Sequence, residues 1–196
     1  MERDVSALAG DDFSPTFLRN ATAFGASPRM RFDIVLNNLS GLAWTTGKIA
    51  MTSDGTPWRP LVHALDIAKA IRMTLESPRE RVHGEIVNVG SEANNYRVRD
   101  VAEVVAAEFP GCELTFGDPS ADNRSYRVAF DRIREVLPGY TTDWDAGAGA
   151  AQLHKVFGSV DMDAATFTGR GHTRLAQIEH LMRTQQVDAE LYWNLP

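Results

Sequence analysis

SDGTPWRPLVHALDIAKAI, residues 53–71, sets the reading of the fold. Asp54-Gly55 marks a turn. After it, WRPLVH has the length and apolar content of a buried strand. Ile67, Ala68, Ile71, Met73 and Leu75 then describe a helix that ends before Pro78, with Asp66 placed to cap it. Turn, strand and helix in immediate succession are the building unit of an α/β fold.

Working outward, FSPTFLRNATAFG (13–25) reads as a short strand centred on Thr16 to Arg19, followed by a loop that Gly25 and Pro28 close. From Phe32 to Thr46, the residues Phe32, Val35, Leu36, Leu39, Leu42 and Ala43 recur at three- and four-residue steps, predicting a helix stopped by Gly47. On the other side, EIVNVG (85–90) reads as a buried strand, SEANNYR as a polar linker, and VRDVAEVVAAEF (98–109) as an amphipathic helix. ELTFG adds a strand, DPSADNRS a polar loop, YRVAFDRIREVLPGY a short strand and a short helix, and GAGAAQLHKVF a further helix. Leu175, Ile178, Leu181, Met182 and Val187 predict a last helix with a capping tail. Two or three strands are persuasive, fewer than the four to six or so of an ordinary open sheet, so the expected α/β sheet is incomplete.

The 196 residues are 43% hydrophobic and 23% charged, a composition that supports one real core. A net charge of -6 argues against a protein that grips nucleic acid through its phosphates, which demands a basic excess. One cysteine, Cys112, gives neither a disulfide framework nor a zinc or redox motif and suits a reducing cytoplasm. No signal-peptide pattern opens the sequence and no apolar run approaches the ~18 residues of a membrane span, so neither membrane nor nucleic acid is an expected partner.

The motifs of catalysis are missing from the sequence. There is no GxGxxG, GxxGxxG, P-loop, GxSxG or HExxH, and none of Tyr96, Tyr126, Tyr140 and Tyr192 has a lysine four residues later. What remains is a set of polar residues at the ends of apolar segments. Arg59, between Trp58 and Pro60, could grip a phosphate with two donors or pair with an aspartate. Asn37 and Asn38 interrupt an apolar helix, where an amide would meet either a ligand's polar edge or solvent. Arg29, Arg31, Arg124 and Arg127 fit an anionic ligand or ordinary surface pairing. His63 and Asp66 have the look of an acid/base pair, but a packed histidine and a capping aspartate are the simpler reading. Asp118, Asp122 and Asp131 are carboxylates in polar loops with no motif behind them.

Three motifs in order, LRNATAFG, SDGTPWRPLVHALDIAKAI and GEIVNVGSEANNYRVRDVAEVV, resemble the second half of extended short-chain dehydrogenase/reductases of the NAD-dependent epimerase/dehydratase family. The resemblance covers about residues 1–157 and leaves 158–196 as a helical tail, which could close over a missing half or mediate dimerisation. It implies an incomplete Rossmann-like fold: the last strands of a parallel sheet plus the smaller α/β substrate-binding lobe. It also implies a nucleotide-sugar ligand and NAD or NADP as the parent cofactor. Arg59 would hold the nucleotide diphosphate, Asn37, Asn38 and Leu39 would lie along the sugar and base, and Arg127 would approach the nucleotide. Asn20, Ala21 and Thr22 would touch nicotinamide and Thr22 also the substrate, although family members often carry asparagine at that place.

The family's glycine-rich loop and its Tyr-x-x-x-Lys helix would both precede Met1, and ERDVSALAG resembles the tail of that helix. The resemblance therefore implies no catalytic residue here and a truncated or split enzyme, inactive alone, completed by a separate N-terminal half or by a homo-oligomer. A non-catalytic nucleotide-sugar-binding module is the alternative. In the truncated case, the strands at 15–19 and 86–89 would have lost sheet neighbours.

Overall fold

A computed structural model describes residues 1–119 and 124–194. Its elements in chain order are α1 (Glu2–Ser6), β1 (Phe17–Asn20), β2 (Thr22–Phe24), α2 (Val35–Thr46), β3 (Lys48–Ala50), β4 (Trp58–His63), α3 (Ala64–Glu76), α4 (Arg79–Val82), β5 (Ile86–Val89), β6 (Asn95–Arg97), α5 (Val98–Glu108), β7 (Glu113–Thr115), α6 (Asp131–Val136), α7 (Ala146–Ser159), α8 (Ala164–Thr168) and α9 (Arg174–Arg183), with a 3-10 turn at Glu92–Asn94.

The fold is mixed α/β with parallel pairing, as in part of a Rossmann-like fold. β1 pairs with β5, β2 with β4 and β3 with β7, all parallel, while β6 adds to β4 antiparallel with Arg59 opposite Tyr96. More strands form than the two or three expected. Those missed, β2, β3 and β6, are three-residue pieces too short for an alternating pattern to show. β1 and β5 keep each other as neighbours, and neither pairs with a further strand among the described residues.

Two apolar clusters organise the chain. One joins α2, α5 and α7 over the β2–β4 sheet through Leu36, Val101, Leu153 and Phe157, all fully buried. The other sits between β5, α3 and α6 around Val87, Phe130, Ile133 and Tyr140. Beyond Phe157 the chain stays attached to the first cluster: Phe167 of α8 meets Phe32 edge-on at 5.0 Å, and the Trp44 indole donates to the Met162 carbonyl at 2.8 Å.

Several expectations need correction. The helix predicted from Phe32 begins at Val35, because Phe32 is buried as part of the preceding loop and bonds its N–H to the His172 carbonyl. Gly47 ends it in the left-handed conformation, as expected. Residues 126–130 form no ladder strand; side chains tether them instead, with Asn95 both accepting from Val128 N–H (2.9 Å) and donating to its carbonyl (3.0 Å). Val187 lies past the end of α9. Asp66 does not cap α3: His63 does, accepting from Leu65 N–H, while Asp66 reaches across to Asp143 and Trp144.

Candidate functional site

β4 builds the site from its first two residues. Trp58 and Arg59 stand at the mouth of the strand, before Pro60 to His63 turn into the core. The Arg59 guanidinium donates to the Trp58 carbonyl (2.8 Å) and to that of Arg124, and lies 5.5 Å from the centre of the Tyr126 ring. Trp58 carries two more guanidiniums, Arg127 at 4.8 Å and Arg97 at 5.3 Å. The segment 124–128 is fixed alongside by two contacts: Tyr126 N–H bonds the Trp58 carbonyl, and Trp58 N–H bonds Ser125 Oγ. The result is a cluster of cations and aromatic rings at one end of the sheet. Such pairs are worth about 0.5–1 kcal/mol each when exposed, and they present guanidinium edges to an anion.

Tyr126 also forms a wall of an open depression of about 210 Å3, whose other lining includes Asn20, Ala21, Thr22, Pro60 and Asn88. The depression is smaller than the ~300–1,000 Å3 of most cofactor pockets. Asn20, Ala21 and Thr22 border this depression on one side and do not enclose it.

The α2 residues lie elsewhere. Asn37 is buried, and its amide is consumed by the backbone: it accepts from Gly25 N–H (2.9 Å) and donates to the Arg31 carbonyl (3.0 Å). Asn38 donates to the Phe32 carbonyl at 2.8 Å. Leu39 is part of the core. Asn37, Asn38 and Leu39 therefore shape the loop after β2, whereas Arg59, Arg127, Asn20, Ala21 and Thr22 gather around Trp58 and Tyr126. Trp58 and Tyr126 were not among the residues picked from sequence; each is the chain neighbour of an arginine that was, and that adjacency was the available signal.

His63 and Asp66 are structural. The His63 ring is fully buried, stacks on Trp144 at 4.2 Å and meets Gln152 Oε1 at 2.8 Å, and burial pulls its pKa below the ordinary histidine value. Burial pushes the Asp66 carboxyl up, against the backbone N–H groups of Asp143 and Trp144 that hold it charged. Asp118 and Asp131 stand apart, Asp131 pairing with Arg134; Asp122 lies outside the described residues. Among the described residues no group of three histidine, cysteine or carboxylate side chains could hold a metal ion, and no helix is long and apolar enough to cross a membrane.

Residues 1–90 match the family model described as NAD dependent epimerase/dehydratase family. Among solved structures, the chain is similar to TunA, an NAD dependent NDP-hexosamine 5,6-dehydratase involved in tunicamycin biosynthesis (18% identity, TM-score 0.64, covering 81% of this chain and 51% of that one). It is also similar to RMD from Pseudomonas aeruginosa complexed with NADPH (14%, 0.66, 81% and 54%). A third is UDP-glucuronic acid 4-epimerase from Bacillus cereus in complex with UDP-glucuronic acid and NAD (17%, 0.60, 74% and 45%). The chain spans about half the length of these proteins. Residues 1–90 thus match the NAD dependent epimerase/dehydratase family model, on a chain that has the fold of about half of each of these solved structures.

Proposed function

We propose that this chain supplies the nucleotide-sugar-binding part of an NAD- or NADP-dependent epimerase/dehydratase. Arg59, aided by Arg127, holds the diphosphate, while Asn20, Ala21 and Thr22 border the nicotinamide end of the cofactor. One observation carries the reading: Tyr126 is both the ring beside the Arg59 guanidinium and a wall of the Asn20–Thr22 depression, so a ligand anchored by its phosphates at Arg59 extends over those residues. Asn37, Asn38 and Leu39 act through the loop that follows Thr22, which their amides and packing hold in shape.

The cofactor, when bound, accepts and returns a hydride. This chain's residues bind and orient; the guanidinium of Arg59 stays protonated and cannot serve as a base. No Tyr-x-x-x-Lys pair occurs in these 196 residues, and the reading has the chain inactive alone, completed by a separate N-terminal part or by another copy. A non-catalytic binding module is the second reading, favoured by two hydrophobic clusters that close within the chain.

Calorimetric titration with UDP-glucuronic acid tests the phosphate grip. Arg59→Ala is expected to weaken binding at least about tenfold, the loss of a charge-assisted contact of roughly 1.5–3 kcal/mol. Equal affinity in that variant would remove Arg59 from the site. Urea unfolding of the isolated chain separates the two readings, a cooperative transition favouring the binding module and its absence the incomplete half, whereas sugar turnover by the isolated chain with added NAD contradicts both.

A further inference from the structure

A second cationic cleft lies away from Arg59, between the loop before α2 and the segment leading into α9. It measures about 490 Å3, and its lining includes Arg29, Arg31, Arg170 and Arg174 and no carboxylate. The chain has 26 acidic and 20 basic residues, and its arginines divide between carboxylate partners and neutral ones such as the carbonyls at Arg79 and the Trp58 ring at Arg97 and Arg127. Arg19, Arg99, Arg132 and Arg134 belong to the first group. In the cleft only Arg31 is paired, bidentately with Asp33 at 2.7 Å, an interaction that holds the Asp33 carboxyl below its usual range. Among the described residues Arg29, Arg170 and Arg174 form no ion pair; Arg170 is steadied by a neutral partner, Gln177 Oε1, at 2.7 Å.

The two walls are tied together. Phe32 N–H bonds the His172 carbonyl at 3.0 Å, His172 Nδ1 meets the Met30 carbonyl at 3.2 Å, and the His172 ring lies 5.4 Å from that of Phe32. Thr173, at the N-cap of the ten-residue helix α9, also lines the cleft and makes no side-chain cap, so the helix's first amides are left for an outside acceptor. Three guanidiniums that form no ion pair, of which Arg174 also feels the Asp33 carboxylate, and the positive end of a helix line one open volume, an arrangement suited to an oligoanion.

We propose that this cleft binds a small ligand bearing at least two linked phosphate groups, at a site separate from Arg59. Titration of the 196-residue chain with inorganic pyrophosphate, followed by calorimetry in low salt, is expected to show binding that Arg170→Gln/Arg174→Gln weakens at least about tenfold. Arg132→Gln, at a guanidinium paired with Glu85 and outside both cationic regions, is the control and is expected to change it less than about threefold. Binding lost only in Arg59→Ala, unchanged in the double variant, or absent altogether would overturn the proposal. Inorganic phosphate binding as tightly as pyrophosphate would overturn its two-phosphate form. Both substituted side chains are exposed, and the ligand-free melt of the double variant verifies its fold; should it melt early, Arg29→Gln replaces it with the same expected loss.

Discussion

His63 shows how one residue can look chemical in sequence and be architectural in space. It caps α3, stacks on Trp144, bonds Gln152 and fills the space beside Gly25, with no route to solvent. Burial lowers its pKa, so between that lowered value and the ordinary 6.5 the unfolded chain binds a proton that the folded chain does not. Stability is therefore complete above 6.5 and declines as pH falls through that window. Urea unfolding at pH 7.5 and pH 5.5 is expected to show the decline. His63→Asn keeps a capping side chain but loses the stack; it is expected to be less stable by about 1 kcal/mol at pH 7.5 and to have a shallower decline. An unchanged slope would assign the pH dependence to other groups.

At the level of elements, the sequence was most legible where periodicity is long. α2, α3, α5 and α7 appear where apolar spacing put them, because each lays one face on a core that the pattern itself encodes. β2, β3 and β6 escaped notice because their order comes from partner strands, β4 for β2 and β6 and β7 for β3, while the run 126–130, read as a short strand, is tethered instead by the Asn95 amide. The Asp66 cap was misassigned because proximity in sequence cannot reveal that a loop 77 residues on would supply two N–H donors. Gly25 was read as a loop closer, yet its role is stricter. It adopts φ 92°, and a Cβ there would lie 2.0 Å from His63 Nε2. Gly25→Ala is expected to destabilise the chain by about 2–4 kcal/mol, combining a left-handed backbone with overpacking, as read by its urea midpoint. A change below about 0.5 kcal/mol would mean that the β2–α2 junction is not fixed by this contact.

For the whole molecule, the separation of two cationic regions is the main consequence of folding. Sequence brought Arg59 and Arg127 forward through a family resemblance, and Arg29 and Arg31 only as stray charge; nothing in the local pattern of residues 170–174 announced that they would face Arg29 across a cleft. The Asn37–Asn38–Leu39 trio, expected beside the ligand, instead supports the loop before α2 that carries Arg29 and Arg31. The account's central claim is that a nucleotide sugar sits at the end of β4. It is tested most directly by nitrogen–proton NMR of the isolated chain titrated with UDP-glucuronic acid. The Trp58 indole N–H and the amides of residues 20–22, 59 and 125–128 are expected to shift, while the indoles of Trp44 and Trp144 stay in place. Shifts confined to residues 170–177, with Trp58 unmoved, would contradict it.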